Sequence, residues 1–340
     1  MIYLDYNASA PMHPKVKQVM FELAGNALNP SSIHASGRSA RKIVEEARAK
    51  ILQSVNAKAL VFCGSATEAN NLALAQAPNI IASAIEHDSV WKLKSSEFRV
   101  HGSGVVDLED LEKKLATNSQ ELTTIVSIML ANNETGIIQP VKEAVKIAKK
   151  YGALVHSDAV QAYGRINIDF EDLGVDFITI AAHKIGGPVG VAALMHKPNI
   201  ELKPFIKGGG QEKNKRAGTE NVLAIHGWAA IAGDGVQDSG LRDYLEINLP
   251  TIIGKDLPRL PNTSCVIHPK MAAATLLIHF DTNGICVSSG SACSSGKVEV
   301  SRTLKVMGVE NAGNAIRVST GWNTTKEDID AFLESFSKLA

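Results

Sequence analysis

A lysine, an aspartate, a cluster of small hydroxyl residues and a solitary loop cysteine are the groups in this 340-residue chain whose settings suggest chemistry. Lys184 ends the apolar run in "TIAAHKIGGP" (179–188), beside His183 and just before a Gly-Gly-Pro turn. An amine in a partly desolvated place gives up its proton more easily and becomes a nucleophile toward carbonyl carbon. Alone, a lysine at a strand end is an ordinary surface residue. Asp158, in "VHSDAVQAYG" (155–164), closes a β-branched apolar stretch where a carboxylate is costly without a partner. A protonated ring nitrogen is one such partner and a helix N-cap the plainer role. Gln161 could reach the same ligand. In "CGSATEAN" (63–70) a strand gives way to a helix at Gly64-Ser65-Ala66-Thr67. Free amides and the dipole at such a helix start suit a phosphate, though a capped helix reads the same way.

Anion cradle, carboxylate and lysine together match one cofactor. Pyridoxal phosphate needs an amine for its aldehyde, an acid for its ring nitrogen and donors for its phosphate. His87, in "SAIEHDSV", follows a strand and could stack on a flat ring. Asn133, in "LANNETG", could donate to the ring oxygen.

The cysteine is Cys293, in "SSGSACSSG" (288–296), where it lies among five serines and two glycines. This stretch is too polar for a core strand and too rich in Gly and Ser for a helix, and it reads as a mobile, solvated loop. Of the other cysteines, Cys63 and Cys286 follow apolar residues and read as core, and the surroundings of Cys265 say little. No Cys-x-x-Cys pair suggests a metal or a redox dithiol, so no metal site is expected.

Strands alternating with helices must position these groups. "ALVFC", "NIIASAI", "TTIVSIML", "ALVHSDA" and "DFITIAA" read as strands. Segments 40–55 and 67–76 and "VKEAVKIAKKYG" read as helices between them. That pattern implies an α/β fold with a mostly parallel sheet covered on both faces, whose active site lies at the carboxyl ends of the strands. A large domain over 11–230 is expected. A smaller α+β domain would combine 1–10 with 231–340: a helix at "SGLRDYLEINL", strands at "SCVIH", "ATLLIHF" and "AIRVST", and a last helix at "TKEDIDAFLESFSKLA". Basic and acidic residues number 35 each, which argues against a broad nucleic-acid footprint. No apolar run approaches the ~20 residues needed to span a bilayer. "MIYLDYNASAP" lacks the pattern of a secretory signal, so a cytoplasmic enzyme is expected.

In their order and clustering, "YLDYNASAP", "NPSSIHASGR", "CGSATEANN", "IEHDSV", "NNETG", "SDAVQAYG", "AAHKIGGP", "GGGQEKNKRAGTEN", "SSGSACSSG" and "AIRVSTG" resemble the cysteine desulfurases. These are pyridoxal-phosphate enzymes of fold type I, in the class V aminotransferase group. The long serine-rich loop resembles the branch that feeds iron–sulfur cluster assembly. The resemblance implies conversion of L-cysteine to L-alanine, with the sulfur held as a persulfide on Cys293. It also implies a homodimer and a sulfur-acceptor protein such as an iron–sulfur scaffold. Lys184 matches the Schiff-base lysine, His87 the residue stacked on the ring, and Asp158 the partner of its nitrogen. Asn133 and Gln161 match groups around the ring oxygen. Ala66 and Thr67, joined by His183, match the phosphate cradle. Thr219 matches a phosphate ligand given by the second subunit. Arg317 matches the clamp on the substrate carboxylate, where Asn133 also lies. A selenocysteine lyase, another lyase or aminotransferase of the same fold, or a non-catalytic assembly partner are the rival readings. The chain is shorter than usual between the large domain and the cysteine loop.

Where the family usually has Ser-Gly-His-Lys, this chain has Ala181-Ala182-His183-Lys184, so one phosphate hydroxyl is missing. An Ala181→Ser variant should lose its cofactor more slowly than the native chain on dialysis. Equal rates would remove the idea.

Overall fold

Short segments of three to five residues, most of them rich in apolar side chains, form the strands of the main sheet. The computed structural model describes residues 1–117, 122–234, 239–290 and 299–339. Its strands are β1 (Ile2–Tyr3), β2 (Leu60–Cys63), β3 (Asn79–Ser83), β4 (Ser96–Phe98), β5 (Thr124–Ser127) and β6 (Leu154–Asp158). They continue with β7 (Phe177–Ala181), β8 (Ala192–His196), β9 (Thr263–Ile267), β10 (Ile285–Cys286) and β11 (Ala315–Ser319). The main sheet has seven strands in the order β2-β8-β7-β6-β5-β3-β4. From β7 to β4 every pair is parallel, while β8 runs antiparallel to both neighbours. β2 therefore points the same way as β7, and the carboxyl ends of β2, β7, β6, β5 and β3 share one edge.

Successive strand residues face opposite sides. Ile178 and Ile180 join one apolar cluster with Val44, Ala47, Ile51, Ala144 and Trp228, which covers one face of the sheet with helices 35–53, 141–150 and 222–229. Phe177 and Leu194 join the other cluster with Ala69, Leu72 and Leu74 of helix Ala66–Leu74. Sheet positions with both neighbours apolar and both faces buried explain why these strands read as continuous apolar runs.

The remaining part is built on the antiparallel pair β9–β11 and the parallel pair β1–β10. Leu4, Leu276, Phe280, Ile316 and Phe332 form its core, with the Phe280 and Phe332 rings stacked at 4.8 Å. One expectation fails here: "ATLLIHF" is not a strand but part of helix Ala273–Thr282. Its buried residues are Ala273, Leu276 and Phe280, and Ile278 faces solvent. That is a helical stripe, which a short all-apolar run hides from inspection. Among the described residues, no helix is long and apolar enough to cross a membrane.

Arg259 and Glu246 form a two-pronged buried ion pair, at 2.7 and 2.6 Å, and Ser264 Oγ donates to the same carboxylate at 2.6 Å. This fixes helix Leu241–Ile247 against β9. Removing one partner leaves a buried charge alone. Arg259→Ala should lower the unfolding free energy in urea by about 3–5 kcal/mol.

Candidate active site

Four neighbouring parallel strands each deliver one of the expected residues to the same edge. Lys184 follows β7, Asp158 ends β6, Asn133 follows β5 and His87 follows β3. The helix carrying Ala66 and Thr67 starts just beyond β2. Adjacent strands thus gather side chains separated by up to 97 positions, the span from His87 to Lys184.

Asp158 is buried, and both its oxygens accept: Oδ1 from the Val160 N–H at 3.0 Å and Oδ2 from Asn70 Nδ2 at 2.8 Å. Asn70 Nδ2 also reaches Ser89 Oγ at 2.9 Å, and Ser89 Oγ lies 2.8 Å from His87 Nδ1. His87 and Asp158 are therefore joined through two intermediate side chains. His87 is also the N-cap of helix Asp88–Trp91, its Nδ1 accepting the Ser89 N–H at 3.2 Å.

Lys184 Nζ donates to the carbonyls of Asn7 and Ala8 at 2.6 and 2.8 Å. Gln161 Nε2 donates to the same Asn7 carbonyl at 3.0 Å, and Arg165 donates to Gln161 Oε1. Arg165 is buried, and its other donations go to the carbonyls of Gln161, Tyr6 and Lys184. Burial, with Arg317 nearby, lowers its pKa to about 9. His183 lies 3.3 Å from Ser9 Oγ. Burial first, then Lys184 and Arg165, push its pKa down to about 4, so its imidazole is neutral.

At the helix start, Ser65 caps the Glu68 N–H at 3.2 Å, and the first-turn amides of Ala66 and Thr67 have no intrahelical acceptor. Ala66 packs against Ala181, Val160 and Ala192. Thr219 is exposed and lines a recess of about 100 Å3 with Gly64 and Arg216. A larger cavity, of about 610 Å3, touches Lys184 from the side of Tyr6, Arg165 and Trp322, but neither Asp158, Asn133 nor His87 lines it. The groups expected to bind the ring therefore do not line this cavity.

Arg317, on β11, is buried. It donates to Asp5 Oδ1 at 2.7 Å and to the Asn133 carbonyl at 3.0 Å, while its Nε has no acceptor. Its backbone pairs with Ser288, at the start of the cysteine stretch. Cys293 and Gly296 lie outside the described residues. Gly290 does not have positive φ. A side chain there would meet Glu134 Oε2 at 2.0 Å and Ser301 Cβ at 2.8 Å. Close approach, rather than backbone freedom, accounts for this glycine. Beyond the loop, Arg302 donates to the carbonyls of Ala84 and Glu86 and stacks on Trp91 at 4.3 Å.

Residues 2–332 match the family described as aminotransferase class-V. The chain is 37% identical to the cysteine desulfurase IscS of Dictyoglomus turgidum, over 99% of this chain and 94% of that one. It is also 37% identical to cysteine desulfurase IscS 1 of Archaeoglobus fulgidus, over 98% and 95%. The chain belongs to the class-V aminotransferase family, among its cysteine desulfurases. A solved NifS-like protein from Rickettsia africae has the same fold, with a TM-score of 0.91 and 41% identity over 100% of this chain and 99% of that one. Pyridoxal phosphate is the cofactor of this family, and the donor set fits it: an amine, an accepting carboxylate and a helix start with unused amides.

Asp5, Asn7, Asn70, Glu86, Ser89, Glu134 and Arg165 escaped the sequence reading. Only Glu86, between an apolar run and His87, offered a signal: a carboxylate that burial would strand. It is buried, accepts from Ser83 Oγ at 2.5 Å and the Met129 N–H at 2.7 Å, and leaves Oε2 unpartnered. Burial raises its pKa to about 7; Asp158 adds to the rise, while Ser83, Met129 and Arg302 oppose it. A carboxyl whose folded pKa exceeds its unfolded value of 4.5 costs stability as pH rises from 4.5 through 7. Glu86→Gln should therefore gain on the native chain across that window, by up to about 3 kcal/mol in denaturant titrations. A pH-independent difference would contradict it.

Proposed function

We propose that this protein converts L-cysteine to L-alanine and passes the sulfur to Cys293 as a persulfide. The observation that supports this most is the delivery of His87, Asn133, Asp158 and Lys184 to one sheet edge by four adjacent parallel strands. Lys184 would hold the cofactor at its aldehyde, and its amine is the group placed to take the α-proton of the substrate. Asp158, held by two donors, is placed to keep a proton on the ring nitrogen. When bound, pyridoxal phosphate supplies the electron sink that makes loss of the α-proton feasible. Gln161 and Asn133 orient the ring oxygen. Ala66 and Thr67 hold the phosphate with neutral His183, and exposed Thr219 serves the site of a second copy in a homodimer.

Arg317 receives the substrate carboxylate, since its fork matches two oxygens. His87 moves a proton at the substrate sulfur. The Cys293 thiolate then attacks that sulfur: an S–S bond forms, the C–S bond breaks, its electron pair stays with carbon, and protonation there yields alanine. The persulfide is passed on to an acceptor protein in the cytoplasm, an iron–sulfur scaffold or another thio-cofactor carrier.

Loaded with the cofactor, the native protein should show its absorbance band and release alanine from L-cysteine. Cys293→Ala should keep the band and form no persulfide by mass spectrometry. Undiminished sulfur transfer by that variant would overturn the assignment.

A further inference from the structure

The hydrogen bonds between Asp158 and His87 can be given directions. Asp158, as a carboxylate, only accepts. The group of Asn70 facing it at 2.8 Å must then be the NH2, because a flipped amide would set two acceptors against each other. The price is Asn70 Oδ1, buried without a partner. The second hydrogen of that NH2 goes to Ser89 Oγ at 2.9 Å. The Ser89 hydroxyl, already accepting there, has its own proton to give, and His87 Nδ1 lies 2.8 Å away. The Ser89 N–H reaches the same nitrogen at 3.2 Å. A ring nitrogen that accepts two donors carries no hydrogen.

We propose that Asn70 and Ser89 are positioning residues that hold His87 in its Nε2–H tautomer, placing its transferable proton on the ring edge opposite the Asp158 network. This rests on the functional reading above only for its consequence: the proton moved at the substrate sulfur belongs to Nε2. Neither residue touches the reacting atoms. Their effect is to order a ring that would otherwise divide its proton between two nitrogens. Asp158 is the fixed end, because its charge dictates the orientation of Asn70 and, through it, of the serine hydroxyl.

The test uses cofactor-loaded protein labelled with 15N in its histidines, with the His87 signals identified by their loss in His87→Gln. At neutral pH the native protein should show a protonated Nε2 and a bare Nδ1. Ser89→Ala should show a mixture of tautomers. In that variant alanine release should fall by at least about tenfold, with L-cysteine binding, read from the cofactor absorbance, changed by less than about twofold. Ser89→Thr, which keeps the hydroxyl, should restore the native pattern and rate. A native ring protonated at Nδ1, or a Ser89→Ala ring unchanged from native, overturns the proposal. So does an equal loss of binding and rate in Ser89→Ala, the mark of a merely structural role. The ring signature is read without turnover. A native protein that releases no alanine therefore overturns the functional reading, while the tautomer is decided by its own spectrum.

Discussion

One buried carboxylate at the end of β6 sets the terms for the polar groups around it. Asp158 is buried, and its oxygens are satisfied by N–H donors alone rather than by a lysine or arginine. Such a charge is stable only where neighbouring groups are neutral or turned to donate. That holds on the described sides. His156, two residues earlier on the same strand, lies between Ser127 Oγ at 2.8 Å and Thr179 Oγ1 at 3.1 Å. Burial lowers its pKa to about 4, so it adds no positive charge beneath the carboxylate. Glu86, which would add a second negative charge, resists ionisation up to about pH 7. The net effect is a single negative charge aimed at the sheet edge.

The two arginines of the site show the complementary arrangement. Arg317 is buried but compensated by Asp5, whereas buried Arg165 donates only to carbonyls and an amide oxygen. Buried cations without counter-charges are costly, and the lowered pKa of Arg165 reflects it. Such a positive excess is what the proposed binding of anionic groups calls for. A phosphate and a carboxylate are the two anions that the proposed reaction brings there, and both leave the protein's own acidic residues in place.

How much of this could be read from the sequence depends on how local the cause is. Asp158, Lys184 and the Ser65-Ala66-Thr67 turn were legible because each closes an apolar run, and a run's end is a local event. Asn70 and Ser89 were not, because their significance lies in a relay from Asp158 to Asn70, Ser89 and His87 that joins parts of the chain far apart in sequence. Ser89 reads as an ordinary first-turn helix residue and Asn70 as a mid-helix amide. The helix at 273–282 was misread for another local reason: three consecutive apolar residues, Leu276 to Ile278, satisfy both a period of 2 and a period of 3.6. Gly290 reads in the sequence as one more residue of a Gly- and Ser-rich loop, yet its cause is Glu134, 156 positions earlier. A side chain that excludes a Cβ from a distant segment leaves no mark on the segment's own composition.

The N-terminal segment carries the same lesson further. Asn7 is almost fully buried and joins groups from every part of the chain. Its carbonyl takes both Lys184 Nζ and Gln161 Nε2. Its side-chain nitrogen donates to the Asn133 carbonyl at 3.1 Å and to Thr263 Oγ1 at 2.9 Å, and its side-chain oxygen accepts from Asn262 at 3.2 Å. Its backbone N–H reaches Ser319 Oγ at 3.0 Å. Thr263 and Ser319 lie on β9 and β11, while Gln161 and Lys184 lie just beyond the carboxyl ends of β6 and β7 in the main sheet. A short strand and the turn that follows it are thus held from both sides, with Leu4 anchored in the smaller core and Asn7 against Lys184. Arg317, paired to Asp5 two residues away, shares that segment. The group proposed to bind the substrate and the group proposed to bind the cofactor are therefore set in register by one strip of backbone. Any shift of the smaller part against the sheet would move both ends of that strip, and with them the spacing that the chemistry requires.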